Sequence, residues 1–288
     1  MKPFSHLHTH SHYSLLNALP KVDQLVQAAA KDGMKALALT DNGNLYGAIE
    51  FYKECKDAGV KPIIGVDFYV AVRTRKDRQA GVDNRRYRLV LLAKNIEGYR
   101  NLLQLVTESH LDGFYYKPRI DRELMEKYKQ GLLAIIPSFS GETSAALKMR
   151  DHERAEAAAK FYVDTYGAEN VFLEITHHPE IEGHTELSEQ IILLSNRARV
   201  PLVAAQDVYY LAPEDRKARE TLIKIQNQTD FGDRGSDTAE DFSFIDQGTA
   251  NDYFKDLPEA LQNIEKVITA CNLELELGKW VFPDLKVE

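Results

Sequence analysis

Seven short apolar runs recur along the chain, most of them separated by a helix-length amphipathic segment. This alternation restricts the possible folds more than any other feature. The runs are Phe4 to His8, Lys35 to Thr40, Lys61 to Val72, Arg88 to Ala93, Leu132 to Ile136, Val171 to Ile175 and Leu202 to Ala205. Val22, Leu25, Val26 and Ala29 recur at helical spacing just after Pro20, which predicts a first helix. Further helices are expected over Gly47 to Ala58, Tyr99 to Ser109, Arg122 to Tyr128, Glu153 to Tyr166, Thr185 to Arg199 and Leu257 to Cys271. Apolar strands alternating with helices imply a parallel sheet covered by helices. Seven of them in 288 residues point to a closed or distorted (β/α) barrel more than to an open sheet. The polar stretch Arg73 to Arg86 reads as a hairpin loop, Asp230 to Asp246 as a long surface loop, and Trp280 to Pro283 as an extended exit.

Composition removes several function classes. Hydrophobic residues make up 44% of the chain, enough for a sizeable core. No apolar run approaches the length that spans a bilayer, so no membrane role is expected. Met1 to Phe4 lacks the apolar stretch of a signal peptide. Cys55 and Cys271 are the two cysteines; far apart, they suit a reducing cytoplasm and read as small buried hydrophobes. A net charge of −8 argues against a domain that grips a duplex by itself. Local basic clusters remain: Arg73, Arg75, Lys76 and Arg78, then Arg85, Arg86 and Arg88. A charge run is usually a solvated face, although this one is also suited to a nucleic-acid backbone or an acidic partner. Tyr115-Tyr116-Lys117-Pro118-Arg119 mixes aromatics and cations and reads as an interdomain contact.

The polar residues fall where barrel enzymes place their sites. His8 and His10 end the first strand, Thr40-Asp41-Asn42 follow the second, and Asp67 lies in the third. Ser138 follows a later strand, Glu174 ends another, and Gln206-Asp207 end the last. Groups at the carboxyl ends of barrel strands converge on one rim. His8 and His10, alternate residues of an extended segment, point the same way. They suit one divalent ion, or one each of a pair. A His-x-His alone is also a common surface feature. His6 and His12 share the parity; His177-His178 read as loop structure.

His6 to Leu16 resembles the opening motif of PHP domains in the alpha subunit of bacterial DNA polymerase III. The segments Ala38 to Gly47, Gly59 to Gly65, Val90 to Asn95, Gly98-Tyr99, Asn101-Leu102, Ser140 to Glu142 and Val203 to Leu211 match in family order. The resemblance implies a distorted (β/α)7 barrel over residues 1–278, with 279–288 starting a linker. Metal-replete members of the family hold up to three ions at the rim and hydrolyse phosphoesters. Here His8, His10 and Asp207 match ligands, and Asp67 replaces a glutamate. Asn17 stands for an aspartate, Asn42 and Arg88 for histidines, Ser138 for a cysteine and Tyr209 for a histidine. Arginine has no lone pair to donate, and the other replacements are poor ligands.

No residue is therefore assigned as catalytic. The resemblance implies a domain of a replicative DNA-directed DNA polymerase, a nucleotidyltransferase whose polymerising carboxylates lie beyond Glu288. The domain itself is expected to be structural, with a vestigial metal site of His8, His10, Asp67 and Asp207 and with Glu174 on its edge. It is expected to hold at most one weakly bound Zn, Mn or Mg ion. Its implied partners are the thumb and palm of the same chain and the proofreading exonuclease subunit, with DNA met mainly by the rest of the polymerase. The competing expectation is a phosphoesterase or 3′–5′ exonuclease with a reduced metal site.

Overall fold

The computed structural model describes residues 2–227 and 240–279. Among them the strands are β1 (Ala36–Leu39), β2 (Lys61–Ala71), β3 (Arg86–Ala93), β4 (Phe114–Tyr115), β5 (Lys117–Ile120), β6 (Leu132–Ile136), β7 (Val171–Ile175) and β8 (Leu202–Ala204). The helices are α1 (Val22–Lys31), α2 (Ala48–Ala58), α3 (Ile96–Leu111), α4 (Arg122–Lys127), α5 (Glu142–Lys148), α6 (His152–Tyr166), α7 (His184–Ala198), α8 (Arg216–Asn227), α9 (Gln247–Tyr253) and α10 (Pro258–Ala270). Local chemistry sets several boundaries. Gly59, in the left-handed region at φ 72°, closes α2. The Asn95 side chain accepts from the Gly98 N–H at 3.0 Å to cap α3. Gly98 is needed for a second reason: a Cβ there would lie 1.9 Å from the Gly131 carbonyl oxygen.

The sheet runs β4-β5-β2-β3-β6-β7-β8, with β1 paired to the first part of β2. It is a mixed sheet, curled into a half-barrel: the parallel order expected from the alternation is broken at β3, the strand that the hairpin expected over Arg73 to Arg86 turns back against β2. β3 runs antiparallel to both β2 and β6, whereas β1–β2, β2–β5, β6–β7 and β7–β8 are parallel. An apolar run reads alike in either direction, so the reversal leaves no trace in the periodicity. It has a structural result: the amino-terminal end of β3, not its carboxyl end, reaches the rim formed by its neighbours' carboxyl ends. Arg88 consequently pairs with Gly141, just past the end of β6.

The expected first strand, Phe4 to His8, forms no regular ladder. Its chain instead bonds to both ends of the curled sheet. The Ala38 N–H donates to the His6 carbonyl at 2.9 Å, and the His10 N–H donates to the Val208 carbonyl at 3.0 Å. Thr9 and Val208 form a parallel bridge. The core is continuous: β6 and β7 are buried along their whole length, as are Phe51, Phe68, Leu91 and Val203. Each buried Val, Leu, Ile or Phe side chain among them contributes roughly 1.5–3 kcal/mol by leaving water. Cys55 and Cys271 are buried free thiols. No helix among the described residues is long and apolar enough to cross a membrane.

The loop joining β2 to β3 is built around one cation. Arg119, fully buried on β5, donates to the backbone carbonyls of Gly113, Asp83, Arg75 and Asp77 at 2.8–3.1 Å. Arg73 pairs with Asp83, and Arg75 with Asp121 and Glu123. The β4–β5 hairpin, part of the segment expected to be an interdomain contact, is thereby an edge of the domain's own sheet. Residues 230–239 of the expected surface loop and the expected exit at Trp280 to Pro283 lie outside the described residues.

Candidate metal centre

His8 and His10 leave their segment on the same side, as alternate residues of an extended chain must. Their imidazoles lie 5.1 Å apart, centroid to centroid, and both are buried. His8 Nδ1 meets Glu174 Oε2 at 2.7 Å, while its Nε2 lies 3.3 Å from Asp67 Oδ2 and 3.5 Å from Asp207 Oδ1. His10 Nε2 lies 3.4 Å from the same Asp67 oxygen, and its Nδ1 lies 3.3 Å from Asp207 Oδ1. Asp67 is positioned by β2, Glu174 by β7, and Asp207 by the chain just past β8.

Arg88 comes from β3, the reversed strand. Its Nε donates to Asp67 Oδ1 at 3.0 Å, and its Nη2 donates to Asp67 Oδ2 and to Asn42 Oδ1. Its guanidinium also stacks 4.1 Å from the centre of the Tyr69 ring. Ser138 donates from both its N–H and its hydroxyl to Glu174 Oε1, at 3.0 and 3.1 Å. Tyr209 packs flat on His10 at 4.3 Å with an interplanar angle of 5°. Four of the five substituted positions thus gather at the rim. Asn17 does not join them by hydrogen bonds: its backbone carbonyl accepts from Arg219 Nε at 3.2 Å.

The electrostatics balance within the protein. Three carboxylates, Asp67, Asp207 and Glu174, face one guanidinium and two imidazoles. Burial works against a charged His8, yet Asp207, Glu174 and Asp67 hold its pKa well above the usual imidazole value. Burial also opposes a charged His10, and Asp207 and Asp67 raise it. Burial alone would raise Asp67, but Arg88 and the two histidines hold it well below the usual carboxylate range. Asp207, likewise desolvated, is drawn down to about 2 by His8 and His10. One guanidinium and two imidazoles thus stand against three carboxyl groups.

Ligand atoms of His8, His10 and Asp207 lie within 4.8 Å of one another, close enough to share one ion. Asp207 Oδ1 is buried and accepts no hydrogen bond among the described residues. These three fit a single divalent cation. A cluster of three does not fit, because Arg88 already occupies the space between Asp67 and Asn42 with a fixed positive charge.

Glu174, expected at the edge, stands inside the cluster as the direct partner of His8. Its place at the end of β7 was the available signal. The chain continuing outward from it was not legible: Ser138 Oγ to Thr176 Oγ1 at 2.8 Å, then Thr176 Oγ1 to His184 Nε2 at 3.0 Å. Nothing local marks Thr176 or His184. Arg219, 3.8 Å over the outer face of Tyr209, is equally unmarked. His6 bonds the Ile245 carbonyl at 2.9 Å, His177 stacks on Tyr253, and His178 pairs with Glu180, all apart from the cluster.

The model of the PHP domain family matches residues 6–178. The chain is 36% identical to the DNA polymerase III subunit alpha of Borreliella burgdorferi over 289 residues, covering 99% of this chain and 25% of that protein. It is 38% identical to the same subunit of Aquifex aeolicus over 231 residues, covering 78% and 20%. The chain thus spans about a quarter of the length of the curated relatives it matches. In fold it is similar to a candidate metal-dependent phosphoesterase from Bifidobacterium adolescentis, with a TM-score of 0.51 and 10% identity over 88% of this chain and 97% of that one.

Proposed function

The chain belongs to the PHP domain family, and from that premise we propose that it is the N-terminal domain of a DNA polymerase III alpha subunit, serving there as a structural and interaction domain. Residues 1–278 are its barrel and 279–288 the start of a linker. The observation that carries the structural role is Arg88. A side-chain cation bonded to Asp67 and Asn42 supplies charge that a metal cluster would otherwise supply. The two buried imidazoles and Tyr209 then complete a rim that stabilises the barrel mouth without turning over a substrate. Within the whole polymerase, in the cytoplasm, the domain packs against the thumb and palm and docks the proofreading exonuclease subunit. Primer extension belongs to residues beyond this sequence.

One observation favours a second reading. Asp207 Oδ1, buried and without a hydrogen-bond donor, faces two histidine nitrogens. His8, His10 and Asp207 would hold one Zn, Mn or Mg ion, which when bound would lower the pKa of a water and so assist phosphoester hydrolysis. Asp67 is not free to help, being held by Arg88. Metal analysis of the full-length protein, paired with 3′-end hydrolysis of DNA, separates the two readings. The structural role predicts substoichiometric metal and no hydrolysis attributable to this domain. Stoichiometric zinc or manganese, lost in His8→Ala together with hydrolysis, would overturn it.

A further inference from the structure

Five cations on one side of the molecule are left over after the internal ion pairs are made. In the β2–β3 loop, Arg73 and Arg75 are committed to Asp83, Asp121 and Glu123. Lys76, Arg78 and Arg85 are exposed and form no ion pair among the described residues. Arg86 and Lys117 lie 5.4 and 5.8 Å from the centre of the Tyr69 ring, also without a carboxylate partner among the described residues. Such a concentration stands out in a chain of net charge −8.

Rings stand among these cations. Arg119 ties the loop directly to Gly113, which leads into the β4–β5 hairpin. Phe114 is 51% exposed and Tyr116, at the hairpin tip, 67%. Tyr116 takes φ 61°, a conformation that a bulky side chain rarely adopts. The backbone holds its ring outward, packed against Tyr115 at 4.7 Å.

We propose that this face, from Arg78 and Arg85 across Tyr116 to Lys117 and Arg86, binds single-stranded nucleic acid. Exposed rings offer faces for unpaired bases, and unmatched cations beside them meet the phosphates. The short reach of the patch on an acidic domain suits one strand better than a duplex. An acidic protein segment would use the cations but not two outward rings at a hairpin edge. The inference does not depend on whether the rim holds a metal, since its exposed rings and unmatched cations are not the residues that bond to His8, His10 or Asp67.

The test uses the full-length protein and an oligothymidine carrying 5-iodouracil, crosslinked by light and mapped by peptide sequencing. A crosslink within residues 114–117 is expected. Tyr116→Asn suits the left-handed backbone and removes the ring; it lowers the crosslink yield roughly tenfold, whereas Tyr116→Trp keeps it. Replacing Lys76, Arg78 and Arg85 with serine flattens the salt dependence at this position by a slope of about 2, three phosphates at about 0.7 each. Crosslinks confined to other regions overturn the proposal. So does a Tyr116 that is already covered by another polypeptide segment in the DNA-free protein, detected by its resistance to iodination.

Discussion

Arg88 on β3 clasps Asp67 on β2 through both carboxylate oxygens, Nε to Oδ1 at 3.0 Å and Nη2 to Oδ2. The two residues sit two positions off register, since Asp67 pairs with Val90 and Arg88 with Tyr69, so both side chains leave the same face of the sheet. The Asp67 side chain is 2% exposed and that of Arg88 12%. Truncating one partner of such a pair leaves a buried charge uncompensated, which costs roughly 3–5 kcal/mol. Arg88→Ala is expected to lower unfolding stability by about that amount in urea titration. A loss under 1 kcal/mol would show that the pair does not hold the rim.

Arg88→His should convert a cation into a ligand. A unit charge a few ångströms from a metal opposes it by several kcal/mol at an effective dielectric near ~20. Manganese affinity, measured by calorimetry, should therefore rise at least about tenfold in this variant. Adding Asp207→Asn should cancel the gain, because the gain depends on His8, His10 and Asp207 as the ion's holders. Unchanged affinity in Arg88→His would mean that the arginine is not what excludes further metal.

Stability should fall in mild acid through His184. Burial, then the neighbouring His178, lowers its pKa to about 4 from 6.5, with His177 and Lys148 acting the same way and Glu180 opposing them. Between those values the unfolded chain binds more protons than the folded one, so stability rises with pH across that window and is lost as pH drops toward 4. The contribution is on the order of 1–2 kcal/mol after solvent screening. Unfolding measured at pH 4.5 and 7 should show a smaller difference in His184→Gln than in the parent. An identical difference would exclude this histidine as the source.

Arg119→Leu removes the donor to four backbone carbonyls at once. Unsatisfied buried acceptors cost roughly 1–3 kcal/mol each unless water reaches them. The loop is expected to open toward water, so amide exchange should accelerate over residues 75–83 while β6 and β7 stay protected. Exchange that is unchanged in the loop would refute its dependence on this cation.

How much of this was legible can be read from individual residues. Leu132 to Ile136 and Val171 to Ile175 are buried at every position, so continuous apolar runs marked them with matching ends. Phe4 to His8 has only Phe4 and Leu7 as apolar residues, and its hydrogen bonds go alternately to the chain near Ala38 and near Val208, so no ladder forms. Five elements escaped the periodicity: β4, β5, α5, α8 and α9. β4 and β5 are short, and Tyr116 between them turns at positive φ without a glycine or asparagine to announce it. The α8 helix has no buried residue, although Ala218, Leu222 and Ile225 recur at helical spacing. At the rim, residue types mark Asn42, Arg88 and Ser138 as poor ligands. They did not foretell what each does instead. Whether Arg88 would clasp Asp67 or Asp207 depended on the direction of β3, and the Ser138–Thr176–His184 chain depended on side chains brought together by three separate connections.

The reversal of β3 has a consequence for timing. A dissociable counterion reaches its site by diffusion, at a rate set by its concentration in the surrounding medium. The guanidinium of Arg88 arrives on the second arm of a hairpin, as soon as β3 zips against β2. Its local concentration beside Asp67 is fixed by 20 intervening residues of tether, from 68 to 87. Neutralisation of Asp67 is therefore inherited with the polypeptide and arrives with strand pairing, whatever ions the cell happens to supply.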